Sequence, residues 1–183
     1  MKKDILAIVA AVLIIAVLIG GVEIQSVDEY YLSHIDDIKP DSETVFLSIR
    51  CDSVFDNYDK LDASLKSGGY IPQNGIILEK TEYVLREGDT VYDVLDRVLR
   101  YNKIQAEYRG SKKTAPGALY VAGINYLYEY SCGPLSGWMY RVNGVFPSRS
   151  CAEYTLSDGD VIEFVYSCDL GHDIGENGGY GNE

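Results

Sequence analysis

Residues 87–102 read Glu-Gly-Asp-Thr-Val-Tyr-Asp-Val-Leu-Asp-Arg-Val-Leu-Arg-Tyr-Asn. Val91, Val94, Leu95, Val98 and Leu99 fall at i, i+3, i+4, i+7 and i+8, a single apolar stripe of helical period. The spacing predicts a helix over 89–101, capped by Asp89 or Thr90 and stopped near Asn102. Asp93, Asp96, Arg97 and Arg100 lie off the stripe. A helix with one apolar face must cover another element, and the segments on both sides of it read as strands.

Thr44–Arg50 alternates, with Val45, Leu47 and Ile49 on one face. Ile76–Leu85 reads as a second strand. After the helix come Gln105–Tyr108, Leu119–Ile124, Asn125–Tyr130, Trp138–Val142 and Val161–Tyr166, with Lys112–Gly117 as a polar loop. Asn143-Gly144 and Asp158-Gly159 are hairpin turn signals. The order predicts an α+β fold: a β-grasp-like mixed sheet with its first strand beside its last, and one main helix packed on one face. Residues 52–75 hold Asp52, Asp56, Asp59 and Asp62, but lack the glycine and terminal glutamate of an EF-hand loop. They read as a solvated short helix with capping carboxylates rather than a calcium site, and no metal site is expected.

The ends have other compositions. Lys2 and Lys3 precede an uncharged run from Ile5 to Val22, which as a helix spans about 27 Å, close to the hydrocarbon thickness of a bilayer. The run exceeds a usual signal-peptide core and ends without a small-x-small cleavage site. Residues 1–22 therefore read as a single N-terminal transmembrane anchor, with a cleaved signal as the alternative. Residues 23–43 read as an acidic linker, 44–170 as the folded domain and 171–183 as a flexible Gly-rich tail. Lysines before the run and acids after it place the domain outside the cell.

The whole chain of 183 residues carries a net charge of −12, which disfavours nucleic acid as a partner. His34 and His172 lie in the linker and the tail, and no nucleophile, triad setting or phosphate loop accompanies them, so an enzyme is not expected. Cys51, Cys132, Cys151 and Cys168 match no zinc spacing, and in an exported domain an even count reads as two disulfides. Parallel first and last strands would bring Cys51 to Cys168, leaving Cys132 with Cys151.

Sixteen tyrosines stand against four Phe and one Trp. Tyr126, Tyr128 and Tyr130 alternate as a half-exposed ladder would. Trp138 follows the Gly133–Gly137 loop and shares a face with Tyr140. It reads as a core residue on the helix stripe or as a platform for a planar ligand. Trp138, Tyr140, Gly137, Tyr126 and Tyr128 are the candidate ligand contacts.

Gly-Trp-Met-Tyr-Arg-Val-Asn-Gly at 137–144 and Asp-Gly-Asp-Val-Ile-Glu-Phe at 158–164 resemble the transcobalamin-like C-terminal domain of bacterial surface proteins. Gly88-Asp89-Thr90 with Asp93 and Leu95 resembles that family's helix opening. The resemblance covers roughly residues 44–171, with Phe164 where the family commonly has Trp. It implies a β-grasp-like fold and an extracellular binding role, with cobalamin or a similar flat molecule as ligand. The large helical domain that completes the corrinoid site in cobalamin carriers is missing from this chain, which favours the other reading: a surface interaction or display domain without a small ligand.

Overall fold

The computed structural model describes residues 37–175. The expected anchor, His34, most of the linker and the last eight residues of the tail lie outside them. Among the described residues no helix is long and apolar enough to cross a membrane.

The helix predicted over 89–101 forms as α3, Val91–Tyr101, after two short helices, α1 (Ser53–Asp56) and α2 (Ala63–Gly68). Thr90 caps α3 in a capping box: its side chain accepts from the Asp93 N–H, and the Asp93 carboxylate accepts from the Thr90 N–H at 2.9 Å. The Val91 and Tyr92 N–H groups donate to the carbonyls of Tyr154 and Cys151. The orphan donors of the first turn are thus satisfied by a later loop. Val91, Val94, Leu95, Val98 and Leu99 are all buried, as the stripe requires.

The strands make two sheets where one was expected. A four-stranded sheet has the order β2-β1-β7-β6, formed by Ile76–Val84, Thr44–Arg50, Val161–Ser167 and Gly137–Val142. A three-stranded sheet has the order β3-β4-β5, formed by Ala106–Ser111, Ala115–Ile124 and Leu127–Tyr128. The first strand does lie parallel to the last, from Phe46 opposite Val161 to Arg50 opposite Val165. The remaining pairs, β1 with β2 and β6 with β7, are antiparallel. Val45, Leu47 and Ile49 turn to the α3 core, which also takes Leu119, Val121 and Ile124 from β4 and Ile162 and Phe164 from β7. The helix is therefore buried by both sheets, which makes the whole an α+β fold.

Several expectations are corrected. The tyrosine ladder does not form. Asn125 and Tyr126 have φ of 51° and 65°, a two-residue turn between Ile124 and Leu127. Tyr130 also has positive φ, at 68°, so the alternation on which the ladder depends is broken at both ends. Lys112–Gly117 is not all loop, because β4 begins at Ala115. The acidic 52–75 stretch does hold short helices, but neither Asp52 nor Asp62 gives its helix a side-chain capping bond. The start of the supposed tail is ordered: His172–Ile174 is a turn of 3-10 helix, and Ile174 is buried against Phe146 and Val165.

The disulfide pairing is corrected as well. All four cysteines are buried free thiols. Arg50 stands opposite Val165, so Cys168 lies two residues beyond the position facing Cys51. At strand rise that offset is about 6–7 Å along the sheet. Cys151 packs in the α3 core, while Cys132 packs in a second cluster with Cys51, Cys168 and Tyr166.

Candidate functional site

β4 and β6 belong to different sheets, and a cleft with two lobes opens where they approach. The larger lobe is about 380 Å³ and the smaller about 210 Å³. Tyr120 and Val121 of β4 and Trp138 and Met139 of β6 line both, so the lobes share a floor. Beyond it the larger lobe is walled by the 129–137 segment and Leu170, and the smaller by Phe146, Pro147 and Arg149.

The wall of the larger lobe is a tight loop after β5. Its chain folds back, with the Tyr130 N–H donating to the Ser136 carbonyl at 2.9 Å. The Ser136 hydroxyl accepts from the Cys132 N–H at 3.0 Å. Gly133 sits at φ 100°, a conformation that a side chain would strain. The loop is fixed to the sheet by two ring groups. Trp138 Nε1 donates to the Leu127 carbonyl at 2.8 Å. The Tyr166 hydroxyl lies 2.7 Å from the Tyr128 carbonyl and 2.9 Å from Ser136 Oγ. Burial pushes the Tyr166 phenol well above its ordinary value, so it stays protonated and donates.

Trp138 serves both readings open to it in the sequence. One side packs edge-on against Tyr166, with ring centroids 5.3 Å apart, while the residue is only half-buried and lines both lobes. Gly137 lines the larger lobe. Tyr140 lines the smaller, stacked on Phe164 and donating its hydroxyl to the Arg149 carbonyl at 2.7 Å. Tyr126 and Tyr128 line neither. The Tyr128 ring lies over Gly123, where a Cβ would come within 2.4 Å of it, and its hydroxyl accepts from Gln105. Tyr126 packs on Tyr70, centroids 4.8 Å apart, and both rings are exposed.

Apart from Tyr130, which the ladder reading included, the sequence reading missed the rim. Tyr120, Tyr130, Leu135 and Leu170 are 44%, 62%, 44% and 60% exposed, and all four line the larger lobe. Large apolar groups gathered at an open cleft mark a place for a ligand or partner. Only long-range folding brings β4, the 129–136 loop and Leu170 together, so no local pattern marks them. The polar groups nearby are engaged: Glu129 pairs with Arg109 at 2.8 Å, and Ser167 bonds Asp173. Among the described residues, no cluster of three or more His, Cys, Asp or Glu side chains could hold a metal ion. His172 bonds the Asp169 carbonyl through Nδ1 at 3.0 Å.

Residues 88–167 match the model of a family described as a domain of unknown function, DUF4430; the match covers less than half of the chain. No curated protein matches. Among solved structures, the chain is similar to a protein from Ruminococcus gnavus described, provisionally, as metal binding. That likeness has a TM-score of 0.41 at 10% identity and covers 68% of this chain and 96% of that one. It is also similar to haptocorrin in complex with Cbi, with a TM-score of 0.44 at 12% identity, covering 73% of this chain. The chain spans 27% of that haptocorrin chain.

Proposed function

We propose that this chain is a membrane-tethered extracellular binding module, without catalysis, whose ligand is a small flat molecule seated between β4 and β6. The observation that carries the reading is the shared floor of Tyr120, Val121, Trp138 and Met139, ringed by exposed Tyr130, Leu135 and Leu170. A flat apolar molecule gains from such a surface by burying area and stacking on the rings. The lobe volumes suit a compact planar ligand or the edge of a larger one. The Gly137–Gly144 motif, through its resemblance to transcobalamin-like domains, makes a corrinoid the first molecule to try. The parallel β1–β7 pairing beside α3 supports a β-grasp-like assignment for the four-stranded sheet.

Equilibrium dialysis against cyanocobalamin and cobinamide tests the corrinoid version. Saturable binding by about 100 μM, lost in Leu135→Asp, is the expected result. No binding of either molecule at that concentration overturns it. Residues 1–22 carry the membrane part of the reading. Membrane fractions of cells expressing the full chain should retain it through an alkaline wash, and its domain should be cut by protease added outside.

A second reading, a protein-interaction or display surface, is favoured by the exposed Tyr70–Tyr126 pair, which lines neither lobe. Pull-down from the native cell surface separates the two. Under this second reading capture depends on Tyr126 and survives Leu135→Asp.

A further inference from the structure

Two of the four thiols face each other. Cys132 and Cys168 lie within hydrogen-bonding reach of one another in a cluster with Cys51 and Tyr166. Their sulfurs also approach the same turn of chain: Cys132 Sγ is 3.4 Å from the Asn57 carbonyl and Cys168 Sγ is 3.9 Å from the Ser53 carbonyl. Asn57 Nδ2 donates in turn to that Ser53 carbonyl at 3.2 Å, closing the turn against both sulfurs. Each cysteine is held from its backbone, Cys132 by Ser136 Oγ at 3.0 Å and Cys168 by Asp173 Oδ2 at 2.8 Å. Cys51 packs in the same cluster, but its thiol answers to burial and to the charge of Asp52. Cys151 is in the other core.

We propose that Cys132 and Cys168 are a dithiol that oxidises to an intramolecular disulfide, joining the 131–136 wall of the cleft to the end of β7. A disulfide needs its sulfurs about 2 Å apart, so two facing thiols in one cluster need only a small approach. The step requires a disulfide oxidant, and glutathione disulfide supplies the class. One cysteine thiolate attacks a sulfur of glutathione disulfide, breaking its S–S bond and releasing one glutathione thiolate. The second cysteine thiolate then attacks the protein sulfur of the mixed disulfide and displaces the second glutathione. The two cysteines lose two electrons, the oxidant gains them, and the two thiol protons pass to the released glutathiones. Burial pushes both thiols above their ordinary value. At Cys132 the hydrogen bond with Cys168 and the charge of Lys60 offset only part of this, and Asp59 and Asp173 add to it, so the attacking thiolate forms once the site opens to water. Both sulfurs are buried, so oxidation proceeds through local opening of the 131–136 loop.

The test uses the full chain, purified reduced and then equilibrated with glutathione disulfide. Thiols counted in denaturant fall from four to two, and non-reducing peptide mapping links Cys132 to Cys168. The thermal midpoint of the oxidised protein rises by several degrees. The Cys51→Ser/Cys151→Ser double variant goes from two thiols to none under the same treatment. Retention of four thiols in the wild type overturns the proposal. So does a linkage that includes Cys51 or Cys151, or arrest at glutathione adducts. The wild-type map decides even if the double variant fails to fold.

Discussion

The Tyr166 hydroxyl donates to the Tyr128 carbonyl at 2.7 Å, across two segments of chain 38 residues apart. Tyr166 is fully buried near the end of β7, and Tyr128 ends the two-residue strand from which the cleft wall departs. This phenol therefore ties the wall to β7, alongside the Trp138 bond to the Leu127 carbonyl.

Tyr166→Phe keeps the ring against Trp138 and removes the hydroxyl. The Tyr128 carbonyl keeps the Ser131 N–H and Ser136 Oγ keeps the Cys132 N–H, so each loses one of its partners. Stability should fall by about 0.5–1.5 kcal/mol, as for one buried hydrogen bond removed. Urea unfolding, followed by the emission of the single tryptophan 5.3 Å away, measures it. An unchanged midpoint would show that the wall is held elsewhere.

Leu95→Ala empties a fully buried position on the α3 stripe. Both sheets pack around it and limit collapse into the space. The expected loss is about 2–5 kcal/mol by denaturant unfolding. A loss under about 1 kcal/mol would mean that the helix is not the centre of the core.

Asp89 and Arg97 form an ion pair at 2.7 Å, with both side chains only 10% exposed. Arg97 also donates to the Val84 carbonyl at 3.0 Å, and Asp89 accepts from the Arg86 N–H. The pair thus holds α3 to the end of β2. Arg97→Met leaves a buried carboxylate without its cation and should cost about 3–5 kcal/mol. Adding Asp89→Asn should recover much of that, because the uncompensated charge is gone. A double-mutant cycle reads the coupling.

Acid should weaken the domain through Asp93 and Glu163. Burial raises the Asp93 carboxyl, but hydrogen bonds from Lys112 and Thr90 outweigh it and hold the pKa below its ordinary 3.8. The Arg141 hydrogen bond, at 2.6 Å, holds Glu163 below 4.5 despite its burial. A folded-state pKa below the unfolded one contributes stability that is complete above the unfolded value. That stability is lost as pH falls through the folded value. Stability should therefore hold above about pH 5 and decline below it. The decline should be shallower in Glu163→Gln and in Asp93→Asn. Equal slopes in wild type and both variants would place the acid sensitivity elsewhere.

The parts of the fold legible in the sequence are those written locally. The α3 stripe has a period and a cap, and Asn143-Gly144 carries positive φ at both residues, as its turn type demands. The parallel β1–β7 pair followed from strand order. The break after Ile124 was legible, but the Asn125-Tyr126 turn was not, because the tyrosines of 125–130 make those two residues look like the start of the next strand. The cleft was half legible. Trp138, Tyr140 and Gly137 stood in one motif and do line it. Tyr120, Leu135 and Leu170 come from three separated segments, and only the closed fold assembles them. Of the expected cysteine pairs, Cys51–Cys168 failed on register, a two-residue difference along β7, and Cys132–Cys151 failed because the two pack in separate clusters; no spacing in the chain encodes either.

The parallel pairing of β1 with β7 bears on how the domain must be made. The Thr44 N–H donates to the Asp158 carboxylate, a contact that spans 114 residues of chain. A ribosome releases β1 long before the strand that completes its edge, and meanwhile Val45, Leu47 and Ile49 lack their cover. Such non-local closure slows folding to the millisecond-to-second range. It also sets the smallest piece worth expressing. A fragment cut at residue 88, where the family match begins, would leave β7 with an open edge where β1 belongs and invite strand-to-strand aggregation.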